Sequence, residues 1–370
     1  MMRTTLKTIL KTGVRTLSAG WKPYSRLILA GDNAGWVLDW EMRELRRISK
    51  QLGIRTVSNI WNNSATPQAI FYAAQFFLKN DTWLKNQHRT GFSYFHGLPG
   101  TGDKDFDAIY AGLCRNHNHL NRIQVSHSQM RDAVLQTGID PAKVHLIPIG
   151  INLSFFHFRN MALRNEQRSS LGISQKAFVI GSFQKDGNGW GEGLEPKLIK
   201  GPDIFLRTLA EVKSSIPDLY VLLTGPARGY IKAGLEKLKI PYKHLFLKDY
   251  PEVGRLFPAL DLYLVTARQE GGPKAILESM ASGIPLVTTR VGQAMDLVTH
   301  GKNGWMVDIE DVNGLAQWTN YVYQNQGPGL EKILEQGLVT AQANSYSNQV
   351  PLWNKFMSGF VDSTTQPQQK

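Results

Sequence analysis

The chain has 370 residues, of which 42% are hydrophobic and 19% charged, and its 42 Lys and Arg outnumber its 30 Asp and Glu. This composition excludes an intrinsically disordered chain, and the length predicts two domains that each bury a core of their own. The single cysteine, Cys114, excludes an internal disulfide framework and a thiolate zinc site. We expect a cytoplasmic protein, because no apolar run is long enough to cross a bilayer and the first residues lack the apolar core of a secretory signal.

Residues 1–25 form a basic amphipathic segment. Lysines and arginines recur through it without an acidic residue, and apolar residues recur at helical spacing. Such a helix either lies on an anionic membrane or packs against the first domain. Residues 1–160 hold 20 Lys and Arg against 10 Asp and Glu, a net charge of +10, whereas residues 161–370 have a net charge of +2. No nucleic-acid-binding module accompanies this charge, so we expect no nucleic-acid partner.

Short apolar runs alternate with amphipathic stretches of helical length, notably 37–52 and 129–137, which predicts parallel sheets covered by helices. In the first half, the predicted strands lie near residues 27–30, 54–57, 92–95, 123–125 and 144–147. In the second half, they lie near residues 178–181, 220–223, 245–247, 262–265 and 286–288. Residues 151–172 are polar and aperiodic and predict a linker. The fold class is therefore α/β, with two doubly wound domains that bind ligands at the carboxyl ends of their strands.

Two loops of the first half follow predicted strands. Gly31 and Gly35 lie between the first strand and the first helix, where glycines allow either close helix packing or close approach of a ligand. His96 ends the third predicted strand, in a loop shaped by Gly97 and Pro99. A histidine at a strand end is either structural or part of a binding site, and both alternatives stay open.

The loop after the predicted strand 262–265 contains Glu270, Gly271, Gly272 and Pro273 before an amphipathic helix. Glycines and a proline at a helix start expose backbone N–H groups, which bind anions. Glu278 follows inside that helix, where a carboxylate can accept hydrogen bonds from both hydroxyls of a ribose. The alternative is that Glu270 caps the helix and Glu278 is solvated.

The loop after the predicted strand 178–181 contains glycines at four alternate positions from 187 to 193. Their spacing differs from the dinucleotide fingerprint G-x-G-x-x-G, because Glu192 stands at its last position, so a dehydrogenase is disfavoured. Lys200 is followed by Gly201 and Asp203 at a predicted helix start. A lysine beside a helix N-terminus is poorly placed electrostatically unless it serves a ligand.

Two further clusters do not predict a metal site. Asp103, Asp105 and Asp107 resemble part of a calcium loop, but Ala108 and Cys114 stand where that loop needs glycine and glutamate. These aspartates are expected to cap a helix. The sequence H-N-H at 117–119 has no carboxylate or thiolate at ligand spacing.

Glu270 and Glu278 have seven residues between them and are followed by a small-residue helix end, a strand and Gly292. This pattern resembles the family 4 retaining glycosyltransferases of the GT-B fold, and the K-G-x-D sequence at Lys200 is similar to the phosphate-binding motif of that family. The resemblance runs, with decreasing strength, from about Gly31 to the C-terminal helix. It implies two Rossmann-like domains that face a central cleft. The implied organisation is an acceptor domain at 26–160, a donor domain at 170–345, a helix at 346–361 that crosses back to the first domain, and a flexible tail at 362–370.

The resemblance also implies roles for single residues. Ser182 stands where the family usually has an arginine. The nearest cations in the sequence are Lys185 and Lys197, and Lys185 is the candidate substitute. The residues expected to take part in catalysis are Lys200, Glu270 and His96. The residues expected to bind the nucleotide-sugar donor are Gly31, Gly35, Lys185, Gly271, Gly272, Lys274 and Glu278.

The function implied is retaining transfer of a hexose from a UDP- or GDP-sugar to a hydroxyl of a glycan or lipid-linked acceptor. The expected context is the synthesis of polysaccharide, lipopolysaccharide or glycolipid at the inner face of the cell membrane. We expect neither a metal ion nor a cofactor beyond the nucleotide sugar. The alternatives are a non-catalytic nucleotide-sugar-binding protein and a GT-B epimerase or phosphorylase, because one fold supports several functions.

Overall fold

A computed structural model describes residues 22–31, 37–58, 66–85 and 87–362. Its contacts divide the chain into two compact units, Met1–Pro148 with Gln349–Lys370, and Ile149–Asn348. Gly35 and all but the last residues of the basic segment 1–25 lie outside the described residues. Within the described part of the chain, no helix is both long and apolar enough to span a membrane.

The first unit contains a six-stranded parallel sheet. Its strands are β1 (Leu27–Ala30), β2 (Thr56–Ser58), β3 (Ala69–Tyr72), β4 (Arg89–Tyr94), β5 (Arg122–Val125) and β6 (Val144–Leu146). Its first three helices are α1 (Val37–Gln51), α2 (Lys104–Asn116) and α3 (Ser128–Leu135). The strand order is β2-β1-β3-β4-β5-β6 with every pair parallel, so the order reverses between β1 and β3. A ligand of such a sheet binds beyond the carboxyl ends of those two strands.

The C-terminal helix, Val350–Met357, belongs to this first unit. Two arginines from the sheet hold its end. Arg122 donates to the carbonyl oxygens of Phe356 (3.2 Å) and Ser358 (2.9 Å), and Arg89 donates to that of Phe360 (3.3 Å). The last carbonyl groups of a helix have no partner inside the helix and carry partial negative charge, so these cations satisfy and stabilise the end of the segment.

The second unit contains the other six-stranded parallel sheet. Its strands are β7 (Phe178–Phe183), β8 (Leu219–Thr224), β9 (Tyr242–Leu245), β10 (Leu262–Val265), β11 (Leu286–Thr289) and β12 (Trp305–Val307). Its helices are α4 (Met161–Leu171), α5 (Pro202–Val212), α6 (Gly229–Leu238), α7 (Lys274–Ala281), α8 (Ala294–Leu297), α9 (Val312–Gln324) and α10 (Glu331–Ala343). The order β12-β11-β10-β7-β8-β9 reverses between β7 and β10. This is the strand order of a Rossmann fold, and it places the ligand crevice beyond the carboxyl ends of β7 and β10.

Three elements differ from the sequence-based expectation. Strand β3 was not predicted, because all four of its residues are buried and it belongs to one long apolar run without the alternation that identifies a strand. Strand β12 has only three residues and gives too short a pattern. Helix α4 lies inside the predicted linker 151–172, and it packs on the second unit through Arg168, a buried residue that looks solvent-exposed in the sequence.

Candidate functional site

The predicted residues Lys200 and Glu270 meet at the crevice of the second unit. The Nζ atom of Lys200 lies 2.6 Å from Oε1 of Glu270, and both side chains are partly buried. Lys200 ends the segment that follows β7, and Glu270 lies in the loop that follows β10. The pair therefore stands where the strand order reverses, and it brings one cation and one hydrogen-bond acceptor to that place.

Backbone hydrogen bonds fix these two loops to each other. The carbonyl oxygen of Ile199 accepts from the amides of Arg268 (2.8 Å) and Gln269 (3.1 Å). Gly201 has a φ of +65°, and a Cβ atom there would lie 1.8 Å from the carbonyl oxygen of Thr266. Only glycine allows this approach, so the residue after Lys200 is dictated by the packing of the two loops.

The two glycines after Glu270 lie in a crowded turn. A Cβ atom on Gly272 would come within 2.6 Å of the Ile149 side chain and 3.0 Å of Oε1 of Gln293. The amide of Gln293 donates to the carbonyl oxygen of Gly271 (3.1 Å), and its side chain accepts from the amide of Ile149 (3.1 Å). Gln293 thus holds the start of α7, a role that the sequence did not reveal.

Glu278 lies on α7 and is almost completely buried. The hydroxyl of Tyr250 donates to its Oε1 atom. The sequence-based alternative of a solvated Glu278 is therefore wrong. A buried carboxylate needs hydrogen-bond donors, which a tyrosine hydroxyl supplies and which the hydroxyls of a ribose would also supply.

Lys274 and Lys185, the two other predicted cations, contact aromatic residues. The Nζ atom of Lys274 lies 2.8 Å from the hydroxyl of Tyr346 and 3.3 Å from the carbonyl oxygen of Gly150. The Nζ atom of Lys185 lies 3.9 Å from the ring centroid of Trp190, whose side chain is 67% exposed. Burial lowers the pKa of Lys185. Lys185 therefore follows β7 as expected, with its ammonium group against an indole.

Arg228 is a residue that the sequence analysis missed. Its guanidinium group is fully buried at the carboxyl ends of β7 and β8, beside Ser182. It comes from the loop after β8, and the only sequence signal was an arginine shortly after a predicted strand. Arg228 thus places a guanidinium group beside residue 182, where the resemblance implied an arginine and the chain has a serine.

In the first unit, His96 follows β4 and lies among aromatic rings. Its ring centroid is 4.5 Å from that of Phe95 and 5.4 Å from that of Phe76. The buried side-chain oxygen of Gln75 accepts from the amides of Phe95 and His96, both at 2.8 Å. Gly31 follows β1, and a Cβ atom there would lie 2.4 Å from Cε of Met42 on α1, so close helix packing by itself accounts for this glycine.

Asp103 caps α2, as expected, by accepting from the amide of Asp105 (2.9 Å). Asp107 accepts from the amide of Gly100 (2.7 Å). Within the described ranges, no three His, Cys, Asp or Glu side chains are grouped so that they could hold a metal ion.

Comparison with known families adds to this geometry. Residues 194–337, which include Lys200, Glu270 and Glu278, match the family model of the glycosyl transferases group 1. The resemblance found in the sequence is thereby confirmed for the second unit.

Curated relatives extend the likeness beyond the family segment. The chain is 24% identical over 190 residues to the lipopolysaccharide core biosynthesis mannosyltransferase LpsB of Rhizobium meliloti, covering 49% of this chain and 51% of that protein. It is 27% identical over 177 residues to the D-inositol 3-phosphate glycosyltransferase of Segniliparus rotundus, covering 46% of this chain and 36% of the relative. The chain therefore spans about half, or less, of the length of these two relatives.

Solved structures resemble almost the whole chain. The crystal structure of Anabaena Alr3699/HepE in complex with UDP-glucose superimposes with a TM-score of 0.69 and 17% identity, covering 90% of this chain and 99% of that one. At this identity the likeness shows the fold, which is the two-domain α/β arrangement of the GT-B glycosyltransferases. The predicted fold class is confirmed.

Proposed function

We propose that this protein is a retaining glycosyltransferase that transfers a hexose from a UDP- or GDP-sugar to a hydroxyl group of a glycan or lipid-linked acceptor. The observation that carries the proposal is the Lys200–Glu270 pair at the reversal of strand order in a group 1 domain. LpsB is named as a mannosyltransferase of lipopolysaccharide core synthesis, and HepE was crystallised with UDP-glucose. These names support a nucleotide-sugar donor and a role in the synthesis of a cell-surface polysaccharide, lipopolysaccharide or glycolipid.

Lys200 is the proposed source of electrostatic stabilisation. When the bond between C1 of the sugar and the β-phosphate oxygen breaks, negative charge develops on that oxygen. The Lys200 ammonium group and the backbone amides around Gly271 and Gly272 would stabilise this charge, and such stabilisation is usually the main source of rate acceleration in a reaction of this kind. We propose that these groups suffice without a metal ion.

Glu270 is proposed to bind hydroxyl groups of the donor sugar. Its carboxylate has two oxygens, and Lys200 contacts only one of them at hydrogen-bond distance. The acceptor hydroxyl oxygen then bonds to C1 on the face that the phosphate leaves, and its proton passes to the departing phosphate oxygen. The anomeric configuration is therefore retained. His96 is proposed to contact the sugar or the acceptor, and Glu278 the nucleotide ribose.

Association with an anionic membrane surface is the proposed setting for a lipid-linked acceptor. Helix α1 presents Arg43, Arg46, Arg47 and Lys50 to solvent at helical spacing, and these four residues form a basic stripe. Two of them have polar partners nearby, because Arg47 donates to Glu44 at 2.7 Å and Arg46 donates to the hydroxyl of Ser58. Each cation near an anionic lipid surface contributes about 1 kcal/mol.

Replacing the four cations of the basic stripe by glutamine tests this setting. Co-sedimentation with phosphatidylglycerol vesicles should weaken by about a hundredfold or more at low salt, with phosphatidylcholine vesicles as the neutral control. Equal sedimentation of the variant and the unmodified chain would exclude the stripe as a membrane-binding surface.

The donor is identified by incubating the folded protein with a panel of UDP- and GDP-sugars and measuring thermal shift and release of the nucleoside diphosphate. We expect one donor to raise the melting temperature and to be consumed, equally well with and without EDTA. NMR of the product should show the anomeric configuration of the donor. Neither a shift nor release with any donor would overturn the proposal, and a shift without release would favour a nucleotide-sugar-binding protein.

A further inference from the structure

We propose that Arg228 is a positioning residue for the donor phosphate site, where it supports the loop after β7 that carries Lys185 and leads to Lys200. This inference rests on the proposed function, because it assigns a role in binding the same donor. Arg228 also places a guanidinium group beside Ser182, the position at which the resemblance implied an arginine.

The guanidinium group connects the ends of two adjacent strands. Its Nη1 atom donates to the carbonyl oxygens of Ser182 (2.7 Å), Gln184 (2.8 Å) and Thr224 (2.7 Å). Its Nη2 atom donates to the side-chain oxygen of Ser182 (3.0 Å). A planar, permanently charged fork suits several carbonyl groups in a fixed arrangement, which a lysine does not match.

Asp186 neutralises this charge. Its Oδ1 atom lies 2.9 Å from Nε of Arg228, and both side chains are almost completely buried. Burial raises the pKa of Asp186, although the nearby arginine opposes the effect. Because its guanidinium group is fully buried and paired with a carboxylate, Arg228 cannot serve a phosphate as a free cation. Its effect must pass through the groups that it holds.

The path from Arg228 to the site is short. Arg228 holds the carbonyl oxygen of Gln184, whose side-chain amide donates to the carbonyl oxygen of Lys200 at 3.3 Å. Lys200 in turn contacts Glu270. Lys185 is the residue between Gln184, whose carbonyl oxygen accepts from Arg228, and Asp186, whose carboxylate pairs with Arg228. A change at Arg228 should therefore displace both lysines.

The loop that carries Arg228 fits tightly under the segment after β7. Gly225 has a φ of +93°, and a Cβ atom there would lie 2.6 Å from the carbonyl oxygen of Gln184. Ala227 adopts a φ of +56°, which is strained for a residue with a side chain. The amide of Gly229 donates to the carbonyl oxygen of Glu192 at 2.7 Å. The position of the segment after β7 is therefore tied to that of the loop that carries Arg228.

The burial of the Arg228–Asp186 pair does not by itself show what the pair does. Removing two charges from water is so unfavourable that apolar replacements of similar volume are often equally stable. The same sheet offers a matched control in Arg168, which is fully buried at the amino ends of β7 and β10 and bonds to Asp261 and to several carbonyl groups.

The test compares Arg228→Met with Arg168→Met. Chemical unfolding measures the stability of each variant, and calorimetric titration with UDP and with GDP measures binding by the folded fraction. We expect both variants to lose stability, and only Arg228→Met to bind the nucleotide more weakly, by about tenfold. Arg228→Lys, which keeps the charge but lacks the fork, should recover part of the affinity.

Two results would overturn the inference. One is unchanged nucleotide affinity in Arg228→Met, and the other is an equal loss of affinity in Arg168→Met. If Arg228→Met does not fold, the nucleotide affinity of Arg228→Lys is the test. An Arg228→Lys variant that binds UDP or GDP as tightly as the unmodified chain would then overturn the inference. If the unmodified, folded chain binds neither UDP nor GDP, the proposed function itself fails, and that result is distinct from the other two.

Discussion

Two buried arginines stand at opposite ends of the same strand, and they differ in what they hold. At the amino end of β7, Arg168 pairs with Asp261 at 2.5 Å, and Asp261 also accepts from the amide of Val179 at 2.8 Å. At the carboxyl end, Arg228 pairs with Asp186. Each guanidinium group is fully buried and also donates to main-chain carbonyl groups.

Asp261 and the arginines around it form a cluster at the amino end of β7, which we call the amino-end cluster. This cluster joins a helix to the sheet. Arg159 and Arg164 also lie within 3.4 Å of Asp261, and the three arginines bring α4 and the chain before it onto the start of the sheet. The carboxyl-end pair joins loops, and those loops carry the residues of the proposed donor site. The comparison indicates that similar buried ion pairs can hold different parts of a parallel sheet: secondary structure at the amino end and, under our proposal, the loops of the donor site at the carboxyl end.

The largest effect should come from removing the cation of the site. Lys200→Met removes the ammonium group that we propose stabilises the leaving phosphate, so turnover should fall by about 10²–10³, with little change in unfolding free energy. Steady-state kinetics with the donor found in the panel measures this. Lys176→Met, an exposed lysine at the amino end of β7, is the control and should retain full activity. A Lys200→Met variant with normal turnover would mean that the site lies elsewhere.

The amino-end cluster should affect stability alone. Asp261→Asn removes the one carboxylate shared by three arginines, and breaking such a buried pair destabilises by about 3–5 kcal/mol. Urea unfolding measures the free energy, and turnover per folded molecule should stay within about twofold of the unmodified chain. If turnover per folded molecule fell as steeply as in Lys200→Met, the proposed division between the two ends would be wrong.

Two glycines with nearly the same backbone conformation allow the effect of backbone strain to be distinguished from the effect of a close contact with a neighbouring residue. Gly201 has φ +65° and Gly172 has φ +68°, but a Cβ atom on Gly172 meets nothing within 4 Å, whereas one on Gly201 would meet Thr266. Gly172→Ala should therefore lose only about 1–2 kcal/mol. Gly201→Ala should lose more stability and displace Lys200, which lowers turnover as well. If Gly172→Ala and Gly201→Ala had equal effects on stability and on turnover, the contact between residue 201 and Thr266 would be unimportant.

A smaller effect concerns His145, a partly buried residue of the first unit. Like the two buried arginines, it tests how burial acts on a charged group. Burial, with Arg122 and Lys355 nearby, lowers the pKa of His145 to about 4. The unfolded chain therefore binds this proton near pH 6.5 and the folded chain does not, so stability should fall as the pH falls from about 6.5 towards 4.

Melting temperatures at pH 7 and pH 5 measure that effect. The difference between the two temperatures should shrink in His145→Gln, because the substituted side chain does not titrate. His119→Gln, at an exposed histidine of the same unit, is the matched control and should leave the difference unchanged. The same pH dependence in His145→Gln and the unmodified chain would assign the effect to other groups.

Much of the fold and part of the site could be predicted from the sequence. Alternating apolar runs indicated ten of the strands, although several bounds shifted by a few residues. Because parallel strands direct their carboxyl ends to one edge, Lys200 and Glu270 could be expected to lie together although 70 positions separate them. The strands β3 and β12 were missed, since a fully buried run and a three-residue edge strand lack the period on which such prediction depends.

The sequence by itself therefore determined the α/β class, the uneven distribution of charge, and Lys200 and Glu270 as candidate site residues. Only the tertiary structure decided which charges are buried and what they hold. Arg168 and Arg228 look like solvated residues in the sequence, because local pattern records the chemistry of a side chain and not its neighbours. Their partners, Asp261 and Asp186, are 93 and 42 positions away along the chain. Folding alone brings such groups together, and burial then makes each pairing obligatory.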